Sequence, residues 1–167
     1  MSHQTRNTRR EVRGGEHFWQ RHYDHCGAAG VNETDVIVRI IVEHYPAAQA
    51  IYLFGTYGTA DEWPDSDVDI AVLLPPGEAK QMGHMAVSNA RAAIERLLGK
   101  DVDLINLRQV STVFQKEIIM AERRIICADT YAAEEFEMLV LSRYQKLNEE
   151  RAELLAEGLR SGRFYNV

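Results

Sequence analysis

Between residues 50 and 74 two short apolar runs, Ala50 to Phe54 and Asp67 to Leu74, flank a segment containing Gly55, Gly58, Pro64 and several acids. Runs this short and this rich in β-branched and aromatic residues read as strands, and the punctuation between them reads as a loop. The second run is the one that constrains the fold. Asp67 and Asp69 are two apart, so a strand sends both to one face together with Ala71, while Val68, Ile70 and Val72 go to the other. Two carboxylates about 6.6 Å apart along a strand repel by roughly 2 to 3 kcal/mol at an effective dielectric of about 20. A divalent cation between them reverses that sign. Magnesium takes oxygen ligands, keeps several waters and commonly joins one or two carboxylates to substrate phosphates.

A third acid is available from Val102 to Leu107, which reads as another strand with Asp103 enclosed by apolar residues. If that strand lies beside the first pair, three carboxylates converge, enough to hold two metals around a phosphoryl or nucleotidyl centre. Asp101, two residues earlier, shares the face of Asp103 and is the alternative third ligand. Upstream, Gly55-Thr56 ends the first strand and leads into Tyr57-Gly58-Thr59-Ala60, a junction that can open a helix. Its glycine lets a phosphate approach the backbone, and the amides and the Thr56 hydroxyl can bond it. No Gly-Lys-Ser/Thr follows, so this is not a Walker A loop. Asp61, Glu62 and Asp65 read as solvated loop acids, Ser66 as a turn residue, Tyr57 as a packed aromatic and Trp63-Pro64 as a loop anchor.

The remaining pattern places these strands in a domain. Asn32 can cap a helix in which Val36, Ile37, Ile40, Ile41 and Tyr45 recur at helical spacing until Pro46 stops it. Pro75-Pro76-Gly77 breaks the chain, Glu78 to Leu98 reads as one helix, and Ser111 can cap another that runs to about Ala121. Arg124 to Cys127 reads as a short fourth strand, with Cys127 a small core residue. Thr130 to Leu159 is helical almost without pause, with a stripe of Phe136, Leu139, Val140, Tyr144, Leu147, Leu154 and Leu155. A helix of about 30 residues is near 45 Å long, so it is expected to overhang the sheet, with Tyr144 and Leu147 the positions to test for contact with a partner. Glu149, Glu150, Arg151 and Glu153 read as a solvated face. The order α, β, β, α, β, α, β, α predicts an α/β (α+β) domain, a small mixed sheet flanked by helices with a long C-terminal helix.

A chain of 167 residues with 46% hydrophobic and 26% charged residues is one domain with a proper core. Residues 1–30, with five arginines and four of the six histidines, show no helical or strand period and read as a flexible N-terminal extension to a domain spanning 31–167. His17, His22, His25 and Cys26 within it fit no standard zinc spacing. The two cysteines cannot make a disulfide framework. No stretch reaches the roughly 18 apolar residues of a membrane span, and charges occupy the N-terminus where a signal peptide needs its apolar segment, so the expected location is cytoplasmic. A net charge of −6 disfavours direct nucleic-acid binding, which depends on phosphate neutralisation. Protein or a metal-bound nucleotide is the expected partner.

Gly55-Thr56, ten residues, then Asp67-Val68-Asp69 is similar to the glycine-serine, ten, Asp-x-Asp signature of the polymerase-beta-type nucleotidyltransferases, and the short chain resembles their minimal (MNT) branch. The stretches "LFGTYGTADEWPDSDVDIAVLL", "VDLINLRQVSTVFQKEII" and "RYQKLNEERAELL" resemble MntA-type antitoxins of the HEPN/MNT toxin–antitoxin systems, over about residues 32 to 158. That resemblance implies the polymerase-beta-like fold and an enzyme that transfers AMP from ATP to a tyrosine of a HEPN RNase toxin, silencing it. It implies that Gly55 and Thr56 contact the nucleotide's phosphates, that Asp67 and Asp69 bind Mg²⁺, and that Asp103 completes the metal site and helps activate the attacking hydroxyl. Thr56 stands where serine is usual and Ala60 where a second glycine is frequent, and neither change removes a ligand. The inferred reaction is in-line attack of a hydroxyl on the α-phosphorus with pyrophosphate leaving. Two other readings stay open on the residues: a non-catalytic antitoxin that masks its toxin by contact, and a small-molecule nucleotidyltransferase of the aminoglycoside-modifying type, which usually carries a further helical domain for its acceptor.

Overall fold

The computed structural model describes residues 32–83, 85 and 88–161. The expectations for residues 1–30, with their histidines and Cys26, fall outside the described residues. Helix α1 (Glu33–His44) is capped by the Asn32 side chain, which accepts from the Thr34 amide, and it buries Ile37, Val38 and Ile41. Pro46 follows, and strand β1 (Ala50–Phe54) runs up to Gly55. Strand β2 (Val68–Leu73) begins one residue later than expected, leaving Asp67 just outside it.

The single helix expected over Glu78 to Leu98 is instead two. Pro76, read as a breaker, occupies the first turn of α2 (Pro76–Met82), where its missing N–H is no loss. Gly83 turns the chain at φ 57°, and Ser88 caps a new helix, α3 (Asn89–Leu98), by accepting from the Arg91 amide. Strand β3 (Val102–Asn106) and a short 3₁₀ turn (Leu107–Gln109) lead to α4 (Thr112–Met120), capped by Ser111. Strand β4 (Arg124–Cys127) and α5 (Thr130–Ser161) complete the order.

The strands lie in the order β3-β2-β1-β4. β1 is antiparallel to both β2 and β4, and β2 is parallel to β3, so the sheet is mixed as expected. Period-2 alternation gives it two faces. One carries Ile51, Leu53, Val68, Ile70, Val72, Val102 and Leu104 under α1 and α3, all buried. The other carries Ala50, Tyr52, Ala71 and Leu73, covered by Leu107, by Ile118 of α4 and by Ala133, Phe136 and Val140 of α5. Burying one such Leu, Ile or Val side chain is worth about 1.5–3 kcal/mol, so these two layers carry the fold. Cys127 is half-buried rather than fully buried because β4 is an edge strand.

Helix α5 has 32 residues, about 48 Å of length. Of its stripe only Phe136 and Val140 are buried, and Leu139 between them is 45% exposed. Tyr144 and Leu147 are half-buried, and the Tyr144 ring receives the Lys116 ammonium at 5.4 Å, so its first partner lies within the chain. Leu154, Leu155 and Leu159 farther along are 72%, 57% and 75% exposed. Among the described residues no helix is long and apolar enough to cross a membrane.

Candidate active site

The end of β1 nearest Gly55 is where the second face of the sheet stops being apolar. Ala50, Tyr52, Ala71 and Leu73 are buried on it, but Phe54 and Asp69 are only half-buried and Asp103 is exposed. The helical cover of α4 and α5 therefore ends before the acids, and the ladder register puts those acids side by side. Asp69 pairs with Asp103 across the parallel β2–β3 ladder and with Phe54 across β1–β2. Neighbouring strands are about 4.8 Å apart, so the two carboxylates leave one face from adjacent positions. Burial, then the charges of Asp103 and Asp67, hold the Asp69 carboxyl above the ordinary aspartate value. The protein thus keeps an acid where its ionised form is disfavoured, which is the electrostatic condition for attracting a cation.

Asp67 is exposed at the entrance to β2. Asp101 is also exposed and lies outside β3, where its carbonyl accepts from the Val68 amide at 2.9 Å. The register therefore brings Asp103, not Asp101, beside Asp69. Among the described residues no group of three acidic, histidine or cysteine side chains is arranged so that it could hold a metal ion, so the expected convergence of three carboxylates is not present.

Gly55 joins the turn after β1 to the acidic side of the candidate site. It has φ +66°, and a Cβ built on it would stand 2.1 Å from Asp69 Oδ2, so a side chain is excluded by both conformation and space. Beyond it the chain makes turns and no helix, contrary to the expectation at Tyr57–Ala60. The turns are held internally: Thr59 N and Oγ1 both donate to the Thr56 carbonyl, at 3.0 and 2.6 Å. Thr56 is exposed and its hydroxyl donates to Ser66 Oγ at 3.0 Å, so its extra methyl group points into no packed space.

Several residues that the linear pattern passed over hold this loop. Ser66 Oγ also accepts from the Trp63 amide at 3.0 Å, which fixes the distance between Thr56 and the start of β2. Trp63 anchors through that backbone contact, while its ring is 74% exposed. Glu62, expected to be a solvated acid, accepts from the Gly58 amide at 2.8 Å and pairs with Lys100 at 2.9 Å. The Lys100 hydrogen bond, then the Gly58 amide, pull its pKa down. Lys100 also donates to the Pro64 carbonyl at 3.2 Å. Tyr57 is packed, as expected, with its hydroxyl donating to Glu33 of α1 at 2.6 Å; burial, then that bond, hold the phenol well above its ordinary range. From the other side Arg123 donates to the carbonyls of Gly55, at 3.3 Å, and of Tyr57. Glu33, Lys100 and Arg123 are all distant in sequence from the loop they hold, so no local signal pointed to them.

The family described as Polymerase beta, Nucleotidyltransferase matches residues 37–131. Protein adenylyltransferase MntA of Shewanella oneidensis is 30% identical over 125 residues, covering 75% of this chain and 86% of that protein. A crystal structure of a toxin–antitoxin with AMP-PNP is similar at 29% identity and a TM-score of 0.58, covering 77% of this chain and 99% of that one. A structure of the tri-AMPylated Shewanella oneidensis HEPN toxin in complex with MNT antitoxin is similar at 28% identity and a TM-score of 0.52, covering 76% of this chain and 96% of that one. With the family's domain spanning both the glycine turn and the paired acids, the chain belongs to the polymerase beta nucleotidyltransferases and, among them, to the family of the MntA protein adenylyltransferases.

Proposed function

We propose that this chain is an antitoxin that acts as a Mg²⁺-dependent protein adenylyltransferase, moving AMP from ATP to a tyrosine of a HEPN-type RNase toxin and so neutralising it. The observation that carries this reading is the in-register pairing of Asp69 with Asp103 beneath a glycine whose Cβ position is filled by the Asp69 carboxylate. Acids and phosphate turn are then one unit, as transfer between a nucleotide and a hydroxyl requires.

Asp67, Asp69 and Asp103 are an all-oxygen donor set, which suits magnesium, and a cation that completes its shell with water and substrate phosphate needs no ready-made cage. When bound, such a cation would polarise the α-phosphoryl group, acidify the incoming hydroxyl and offset the charge on departing pyrophosphate. The chain's own residues supply position. Gly55 lets the triphosphate reach the backbone, and the Thr56 hydroxyl turns its hydrogen from Ser66 to a phosphate oxygen. Exposed Asp103 receives the proton of the attacking tyrosine as its oxygen bonds to the α-phosphorus and the bond to pyrophosphate breaks. The exposed apolar end of α5 is available to the toxin.

The test is the intact mass of the toxin after incubation with this protein, ATP and Mg²⁺. Increments of one or more AMP that vanish with Asp67→Ala and with Asp69→Ala are expected. An unmodified toxin that both variants neutralise as well as the wild type does would replace this reading with masking by contact alone.

A further inference from the structure

We propose that Arg123 is a positioning residue for the nucleotide: its guanidinium sets the direction of the peptide groups after Gly55, so that the turn presents an amide to phosphate without a helix behind it. The proposal rests on the nucleotidyl-transfer reading above. In a planar trans peptide the C=O and the following N–H point in opposite directions. Arg123 Nη1 donates to the Gly55 carbonyl at 3.3 Å and Nη2 to the Tyr57 carbonyl. The N–H groups of Thr56 and Gly58 therefore point away from the guanidinium. Gly58 N–H is taken by Glu62 at 2.8 Å. Thr56 N–H is not taken by another group among the described residues, and of these two amides it is the one left to meet an anion.

In a phosphate-binding turn that opens a helix, the helix itself holds the amides and adds its dipole. Here residues 55–61 form turns only. Arg123 supplies both missing elements, a fixed amide direction and a positive charge behind the phosphates. It is also set in place beforehand. Its own carbonyl accepts from the Leu53 amide at 3.0 Å, extending β1 to the last residues before Gly55. The chain enters this position through Glu122 at φ 54°, a left-handed conformation that a non-glycine residue seldom adopts and that clusters at functional sites. Its Nη2 stands 3.2 Å from where a Cβ on Gly58 would be, so the turn is fitted closely around it.

The experiment compares the full chain with Arg123→Ala and Arg123→Lys, measuring Mg²⁺-tripolyphosphate binding by calorimetry, AMP transfer kinetics with toxin and ATP, and melting temperature. Tripolyphosphate carries phosphates and no base, so it reports the turn alone. For Arg123→Ala, tripolyphosphate binding weakens about tenfold and kcat/KM for ATP falls about 30-fold, with toxin affinity unchanged. Arg123→Lys, able to serve one carbonyl, recovers only part of each loss. Should Arg123→Ala fail to fold, Arg123→Lys and Arg123→Gln decide on the same tripolyphosphate readout. Variants within twofold of wild type in tripolyphosphate affinity overturn the proposal. A wild type that binds tripolyphosphate but transfers no AMP overturns the reading of function and leaves the Arg123 comparison decisive. A wild type that binds no tripolyphosphate overturns both.

Discussion

The two faces of the sheet share one backbone and differ in chemistry. Toward α1 and α3, β2 presents Val68, Ile70 and Val72, each with no exposed surface. Toward α4 and α5 the same strand starts with half-buried Asp69 and only then continues with buried Ala71 and Leu73. Asp69 and Ile70 are neighbours in sequence and do opposite work, because a strand alternates sides at every residue. The closed face can be optimised for packing alone. The open face gives up part of its packing to hold acids that repel one another, and that strain has a use only when something positive arrives.

The difference is tested most severely by Asp69→Asn, which keeps the shape and removes the charge. AMP transfer, followed by toxin mass, is expected to fall about 10³-fold, equivalent to about 4 kcal/mol; a loss below tenfold would erase the distinction between the faces. Ile70→Ala probes the other side and should destabilise the fold by about 3 kcal/mol in urea titration, while transfer by the folded fraction at low temperature stays within about twofold. Gly55→Ala lies where the faces meet the loop. Its Cβ would stand 2.1 Å from Asp69 Oδ2 at a φ of +66°, and a fall of about 100-fold in kcat/KM is expected together with a loss of about 1–2 kcal/mol of stability. Ser66→Ala removes the acceptor of the Trp63 amide, 3.0 Å away, that pins the loop beside Thr56, and should raise KM for ATP about fivefold, the scale of one hydrogen bond.

The smallest effect is thermal and depends on pH. Asp69 has a folded pKa above its ordinary value of 3.8. The native state therefore binds this proton more tightly than the unfolded chain does, so stability falls as pH rises through the window that opens at 3.8. Without ATP or divalent cation, Asp69→Asn should melt about 2 °C above wild type at neutral pH, with the gap closing as pH is lowered toward that window. A variant that melts below wild type at neutral pH would show that Asp69 supports the fold rather than straining it.

Much of the closed face and half of the open one were legible in the sequence. Short apolar runs located β1 and β4 to the residue, and the Asp67–Asp69 spacing located the acids, because both signals are local. The break inside Glu78–Leu98 was not legible, since Met82 and Met85 continue an apolar rhythm across a turn that depends on the left-handed backbone of Gly83. Register was not legible either: Asp101 and Asp103 are equivalent by spacing, the apolar neighbours of Asp103 favoured it, and the β2–β3 pairing puts it beside Asp69. Lys100 and Arg123 escaped for a third reason. Their bonds reach across the fold, up to 68 residues in the case of Arg123 and Gly55, and no periodicity encodes such a pair.

The parallel pairing of β2 with β3 also has a consequence for the order of events during synthesis. A parallel pair cannot be joined by a hairpin and must wait for its crossover connection to form. Asp69 gains Asp103 as a neighbour only after α2 and α3 have been made and β3 has docked, and contacts of long sequence separation form slowly. A chain emerging from the ribosome therefore has Gly55 and Asp69 before it has Asp103 beside them, and Arg123, which holds the turn, is made later still. The turn and the paired acids are therefore joined only on a molecule whose sheet is already assembled.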